Sequence, residues 1–159
     1  MTSPVPDLAE CVARALGEDL GATGDVTGLV SVDPALPGAA RIVAKARGVL
    51  AGTAAGAACF RALAQDADIE TVADGTRVQP GDVVLRVRAP AAAILAAERT
   101  ALNFLQRLSG IATRTAEFVA AVAGTGARIL DTRKTTPGLR ALEKAAVRPV
   151  AGPAGRATR

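Results

Sequence analysis

Ile129-Leu130-Asp131-Thr132-Arg133-Lys134-Thr135-Thr136-Pro137-Gly138 runs from apolar residues into two adjacent cations and then into residues that start a helix. Ala127, Ile129 and Leu130 predict a short buried strand, while Thr136, Pro137 and Gly138 predict a cap, a first helical position and a tight start. Arg133 and Lys134 then fall where a strand meets a loop. In α/β enzymes that junction, at the carboxyl end of a strand, is where ligands bind. The stretch therefore reads as the mouth of an anion site. Leu139, Leu142, Ala146 and Val147 recur at helical spacing, so residues 138 to 148 complete one βα unit.

Upstream, Pro90 opens a helical stretch from Ala91 to about Leu108. Leu95, Ala101, Leu102, Leu105 and Leu108 supply its apolar stripe. Arg99, Asn103 and Gln106 form a polar stripe, which is a wet face or a contact face for a ligand or subunit. Ser109-Gly110 weakens the helix, and a second one is predicted from Thr113 to Ala123. Further back, Asp74-Gly75 and Pro80-Gly81 are turn signals among alternating apolar residues, predicting a hairpin. Strands are expected at Ala40–Ala46 and Asp68–Val72, a short apolar run at Gly48–Gly52, and a small-residue helix between Thr53 and Leu63 with Cys59 and Phe60 turned inward. Near the start, Leu8, Val12, Ala15 and Leu16 share one helical face, with Asp7 as cap. Glu18 to Thr27 is an acidic, Gly-rich loop, read as a solvated turn in preference to a Mg²⁺ loop.

Composition narrows the chemistry. The chain has 159 residues, half of them hydrophobic, with three Phe and no Trp, Tyr or His, so it can bury a real core but must do without imidazole and phenol. A formal net charge of +4 favours anionic partners. The Arg residues are scattered and lack aromatic companions for base stacking, which argues against nucleic acid. Cys11 and Cys59 form no metal or redox motif and read as buried thiols. No apolar run is long enough to cross a membrane and Met1 to Asp7 shows no basic head followed by an apolar run, so a soluble cytoplasmic protein is expected.

Glu98-Arg99-Thr100-Ala101-Leu102-Asn103-Phe104-Leu105, Leu108-Ser109-Gly110-Ile111-Ala112-Thr113, and Asp131 to Arg140 with Glu143-Lys144 resemble the quinolinate phosphoribosyltransferase family. The Glu18-Asp19 to Thr27 loop and Gly48–Gly52 fit the same pattern, so the likeness covers roughly residues 10 to 148. The resemblance implies an α+β N-terminal open sandwich followed by the start of an incomplete α/β barrel, assembled as a homodimer. It implies a reaction joining quinolinate to the ribose of phosphoribosyl pyrophosphate with Mg²⁺, releasing pyrophosphate and carbon dioxide and giving nicotinate mononucleotide for NAD synthesis. Arg99 matches the family Arg that one subunit lends to its neighbour's site, and Thr132, Arg133 and Lys134 match the substrate-binding run. Lys144 is left structural. An Arg and Lys site suits two carboxylates and a phosphate, and fixed cations suit a decarboxylating ring.

The likeness divides the chain into a helix and loop at 1–22, the sandwich domain with its long helix at 23–112, the first barrel portion at 113–148, and a tail at 149–159 outside the family pattern. Ala145 stands where the family has Tyr, and the triple Gly and His-Arg that should follow are missing. Two Pro and no periodicity after Arg148 predict coil and suggest truncation or a change of reading frame. Since a full α/β barrel takes about 250 residues, the chain alone is expected to be inactive, with the Mg²⁺ ligands absent. Two alternatives stay open: a non-catalytic fragment that dimerises through Ala91 to Leu108, and a related pyridine phosphoribosyltransferase.

Overall fold

The computed structural model describes residues 8–34 and 36–151; Asp7, expected as a helix cap, and residues 152–159 lie outside the described residues. Helix α1 spans Leu8–Leu20 and buries Cys11, Val12 and Leu16, the face expected from their spacing. A six-residue helix α2, Val26–Ser31, follows. Val26 and Thr27 thus begin a helix where a loop was expected, because so short a helix carries too few turns to show periodicity. Strands β1 (Pro37–Val43) and β2 (Gly48–Val49) lead into helix α3 (Thr53–Leu63), in which Cys59 and Phe60 are buried as expected. Strands β3 (Asp68–Thr71), β4 (Arg77–Val78) and β5 (Val83–Pro90) come next.

The strands form two small antiparallel sheets, one ordered β1-β5-β3 and one pairing β2 with β4. The hairpin expected across Pro80-Gly81 is therefore absent: β4 and β5 belong to different sheets, and the Gly81 turn with φ +99° carries the chain between them. Central β5 alternates. Leu85 and Val87 point inward onto α1, α3 and the next helix, while Arg86 and Arg88 point outward and meet Glu70 and Asp68 of β3 across the strand pair. One face of the sheet is thus covered by helices and the other is a charged surface, the open sandwich the period-2 pattern predicts.

Helix α4 runs without a break through Ala91–Ala121, 31 residues, where two helices were expected. Its buried stripe is Ile94, Ala97, Ala101, Phe104, Leu105, Leu108 and Ala112, whereas Leu95 is exposed. The Ser109-Gly110 signal marks a close approach of β2 instead of a break. Ser109 Oγ accepts the Ala51 N–H at 3.0 Å and donates to the Ala51 carbonyl at 3.2 Å, and Thr113 Oγ1 accepts the Val49 N–H at 2.8 Å. One turn apart on α4, the two hydroxyls satisfy the edge of β2 as a neighbouring strand would. A Cβ on Gly48 would lie 2.7 Å from Thr113 Oγ1, so this approach requires glycine there.

The expected strand at Ala127, Ile129 and Leu130 is not formed. The segment forms no ladder among the described residues, and Leu130 is 51% exposed. An isolated strand has no partner for its backbone groups and no second face to bury. Helix α5, Arg140–Ala151, begins two residues later than the spacing indicates and ends later too. Thr136 to Leu139 make a turn, with Gly138 at φ +81° and Leu139 N–H donating to the Thr136 carbonyl at 3.0 Å; Pro and Gly at its centre suit a type II turn. Pro149 was expected to end the helix in coil, yet α5 continues to Ala151. Val150 packs on the cluster of Val49, Ala51, Leu108 and Ala112, and Pro149 sits against the Gly75 turn, so tertiary contact outweighs the missing N–H.

Candidate functional site

The loop from Asp131 to Thr136 projects from the junction of α4 and α5. Thr132, Arg133 and Lys134 are exposed at its crest, and the Lys134 N–H donates to Thr132 Oγ1 at 3.1 Å, a local turn that Thr favours. Arg133 has no hydrogen bond or ion pair among the described residues. The carboxylates that anchor the loop are buried. Asp131, whose side chain is 2% exposed, lies with Oδ1 3.0 Å from Lys144 Nζ, an ion contact off the hydrogen-bond line, so neither carboxylate oxygen has an aligned donor.

At the other foot, Glu143 of α5 is buried and accepts from three directions. Its Oε1 receives Arg107 Nε at 3.0 Å and Nη2 at 2.7 Å, and its Oε2 receives the Thr136 N–H at 3.2 Å. Arg107 also donates to Thr136 Oγ1. Burial pushes the Glu143 carboxyl up, but the hydrogen bonds from Thr136 and Arg107 outweigh it and hold the group below its ordinary value.

Between α4, this loop and α5 lies a cleft of about 330 Å³ with Arg107, Phe118, Leu130, Lys134, Glu143 and Lys144 among its walls. Thr132 and Lys134 reach it; Arg133 and Arg99 are not among its lining residues. Arg99 sits farther toward the start of α4, 74% exposed, and donates to Asp19 Oδ1 at 2.8 Å. The hydrogen bond and charge of Asp19, with Asp25 behind, raise the guanidinium pKa further. Asn103 and Gln106 are exposed on the same stripe. A larger groove of about 500 Å³ lies between β2, β4 and α4, with Arg47 and Arg77 among its walls and its acids already bonded, Asp82 by the Gln79 N–H within the groove and Glu117 by Arg114. The smaller cleft, where buried carboxylates hold a cationic loop, is the candidate site.

Arg107 is not legible as a site residue in the sequence. It stands one residue past the Arg99, Asn103, Gln106 stripe and carried no signal of its own, since its partners Thr136 and Glu143 are far off in sequence. Among the described residues no group of three or more acids, Cys or His could hold a metal. The two acids beside the loop are committed to Lys144 and Arg107, so the described residues do not offer Mg²⁺ a ligand set there.

A family model for the quinolinate phosphoribosyl transferase N-terminal domain matches residues 25–109, and one for the C-terminal domain matches 111–157. The chain belongs to this family. Similarity therefore runs past Arg148, where the pattern was expected to end, and the two matches meet inside α4. The probable nicotinate-nucleotide pyrophosphorylase [carboxylating] of Bacillus subtilis (strain 168) is 46% identical over 134 residues, 82% of this chain and 45% of that protein. The nicotinate-nucleotide pyrophosphorylase [carboxylating] of Mycobacterium leprae is 42% identical over 148 residues, 87% of this chain and 50% of its own. Among solved structures, NadC from Streptococcus pyogenes matches with a TM-score of 0.87 and 36% identity over 91% of this chain and 52% of that one. The chain thus spans about half the length of the curated relatives it matches. The architecture agrees with the expected N-terminal sandwich followed by part of an α/β barrel.

Proposed function

We propose that this chain forms the quinolinate-binding part of a phosphoribosyltransferase that converts quinolinate and phosphoribosyl pyrophosphate to nicotinate mononucleotide, pyrophosphate and carbon dioxide in NAD synthesis. The observation that carries the reading is the loop at Thr132, Arg133 and Lys134, exposed cations on buried anchors, in a chain of this family. Lys134 and Arg133 provide charge for the carboxylates of the pyridine ring, and Thr132 provides a hydroxyl and sets the turn. Arg99 is the fourth binding residue. It lies away from the cleft of its own chain, which favours a homodimer in which it serves the neighbouring site.

Fixed cations are the right chemistry for losing carbon dioxide from the ring, because the charge to be stabilised develops on ring carbon beside the pyridinium nitrogen. Mg²⁺ would supply charge neutralisation for the pyrophosphate leaving group, and no residue of this chain is assigned to it. Two free buried cysteines fit a reducing, cytoplasmic setting. The 159-residue chain by itself is expected to bind the dicarboxylate and to form no measurable nicotinate mononucleotide.

Calorimetric titration with quinolinate and with nicotinate tests the reading. Quinolinate should bind about tenfold or more tightly, since its second carboxylate gains a charge-assisted contact, and Lys134→Ala or Arg133→Ala should remove most of that preference. Equal affinity for the two ligands in the parent chain would count against it.

A further inference from the structure

The loop that carries Thr132, Arg133 and Lys134 has little apolar support of its own, since its crest is exposed and the segment leading to it has no ladder among the described residues. Its shape must come from its feet. Both feet are held by consecutive residues of α5: Lys144 Nζ stands 3.0 Å from the Asp131 carboxylate at the start, and Glu143 accepts the Thr136 N–H at 3.2 Å at the end. Successive residues on a helix project about 100° apart, so neighbours can reach opposite ends of one loop. Arg107 of α4 is the third anchor, bonded both to Glu143 and to Thr136.

These contacts differ from exposed ion pairs such as Arg88 with Asp68, which are worth little. The side chains of Asp131 and Glu143 are only 2% and 9% exposed, so each carboxylate has given up its water and depends on its partner. We propose that Glu143 and Lys144, with Arg107 behind them, are positioning residues: a two-pronged clamp on α5 that fixes both ends of the cationic loop and holds Lys134 toward the cleft. Lys144, read from sequence as merely structural, thereby acts on ligand binding through Asp131. The inference rests on the reading that Lys134 and its neighbours bind a pyridine dicarboxylate.

The test uses the whole chain and three measurements: quinolinate affinity, tryptic cleavage after Arg133 and Lys134 followed by mass spectrometry, and Tm. Lys144→Met alone strands a buried carboxylate, so the informative variant is Asp131→Asn with Lys144→Met, which removes both charges, beside Glu143→Gln and the conservative Lys144→Arg. With Tm near the parent value, the double variant and Glu143→Gln should be cut in the loop about tenfold faster and bind quinolinate about tenfold more weakly, a local opening and not a global one. Lys144→Arg should restore both readouts. Unchanged cleavage and affinity in the folded double variant, while Lys134→Ala loses quinolinate, would overturn the clamp and leave the binding reading standing. Faster cleavage with unchanged quinolinate affinity would support the clamp and overturn the binding role of the loop.

Discussion

Gly52 shows how much one position can carry. It precedes α3 with φ +87°, and a Cβ there would lie 2.5 Å from Leu108 Cδ1 and 3.0 Å from Leu108 Cβ. Its N–H and that of Thr53 both donate to the Asp74 carboxylate, at 2.9 and 3.0 Å, so the start of α3 is capped from a distant turn. Gly52→Ala should cost about 2–4 kcal/mol by combining left-handed strain with overpacking. Gly17→Ala, inside α1 with open space around it, should gain about 0.5–1 kcal/mol. Urea titration of the two variants checks the opposite signs. Glu143 gives a pH prediction. Its folded pKa is lowered, so its contribution to stability is fully present above the unfolded value of about 4.3 and is lost as pH falls through the folded value. Between about pH 6 and pH 3, Tm of the parent should fall more steeply than that of Glu143→Gln; parallel curves would be the contrary result. Cys59, buried with its thiol pushed up to about 12 chiefly by desolvation, has no thiolate to offer.

At the scale of elements, α4 joins the sandwich to the loop-bearing end. Its buried stripe packs on Cys59, Phe60, Leu85 and Val87 toward one end, and its Ser109 and Thr113 hydroxyls close the β2 edge farther along. Ser109→Ala and Thr113→Val should each cost about 1–2 kcal/mol, because each takes a hydrogen-bond partner from the backbone of a buried residue, Ala51 or Val49. A denaturant midpoint lowered with unchanged slope is the expected record; no change in either variant would mean that water replaces the hydroxyls. This helix also shows what was legible from sequence. Arg99, Asn103 and Gln106 were readable as an exposed stripe, and α1, α3, β1 and β3 fell within a few residues of their expected places, because period 3.6 and period 2 patterns are local properties. Ser109-Gly110 misled, since a helix-weakening pair and a close-approach pair look the same until the partner strand is known. Pro149 misled for a similar reason: the packing of Val150 against Val49 and Ala51 is not written near it.

For the whole molecule, the candidate site was legible at its crest and hidden at its base. Thr132, Arg133 and Lys134 stand together in sequence, so an exposed cationic run could be read directly. Arg107, Glu143 and Lys144 come from two helices that meet only after folding, and their pairing follows from burial, which no local pattern reports. The segment before the loop was read as a strand from composition that suits one, but pairing requires a neighbour that the described residues do not supply. The proposed function puts quinolinate at this loop, in the cleft between α4 and α5. An amide chemical-shift titration of the labelled chain with quinolinate tests it most directly. Shifts should concentrate at residues 132 to 135 and at Arg107 and Lys144, and be abolished by Lys134→Ala. Shifts confined to the groove between β2, β4 and α4, or unaltered by that substitution, would contradict it.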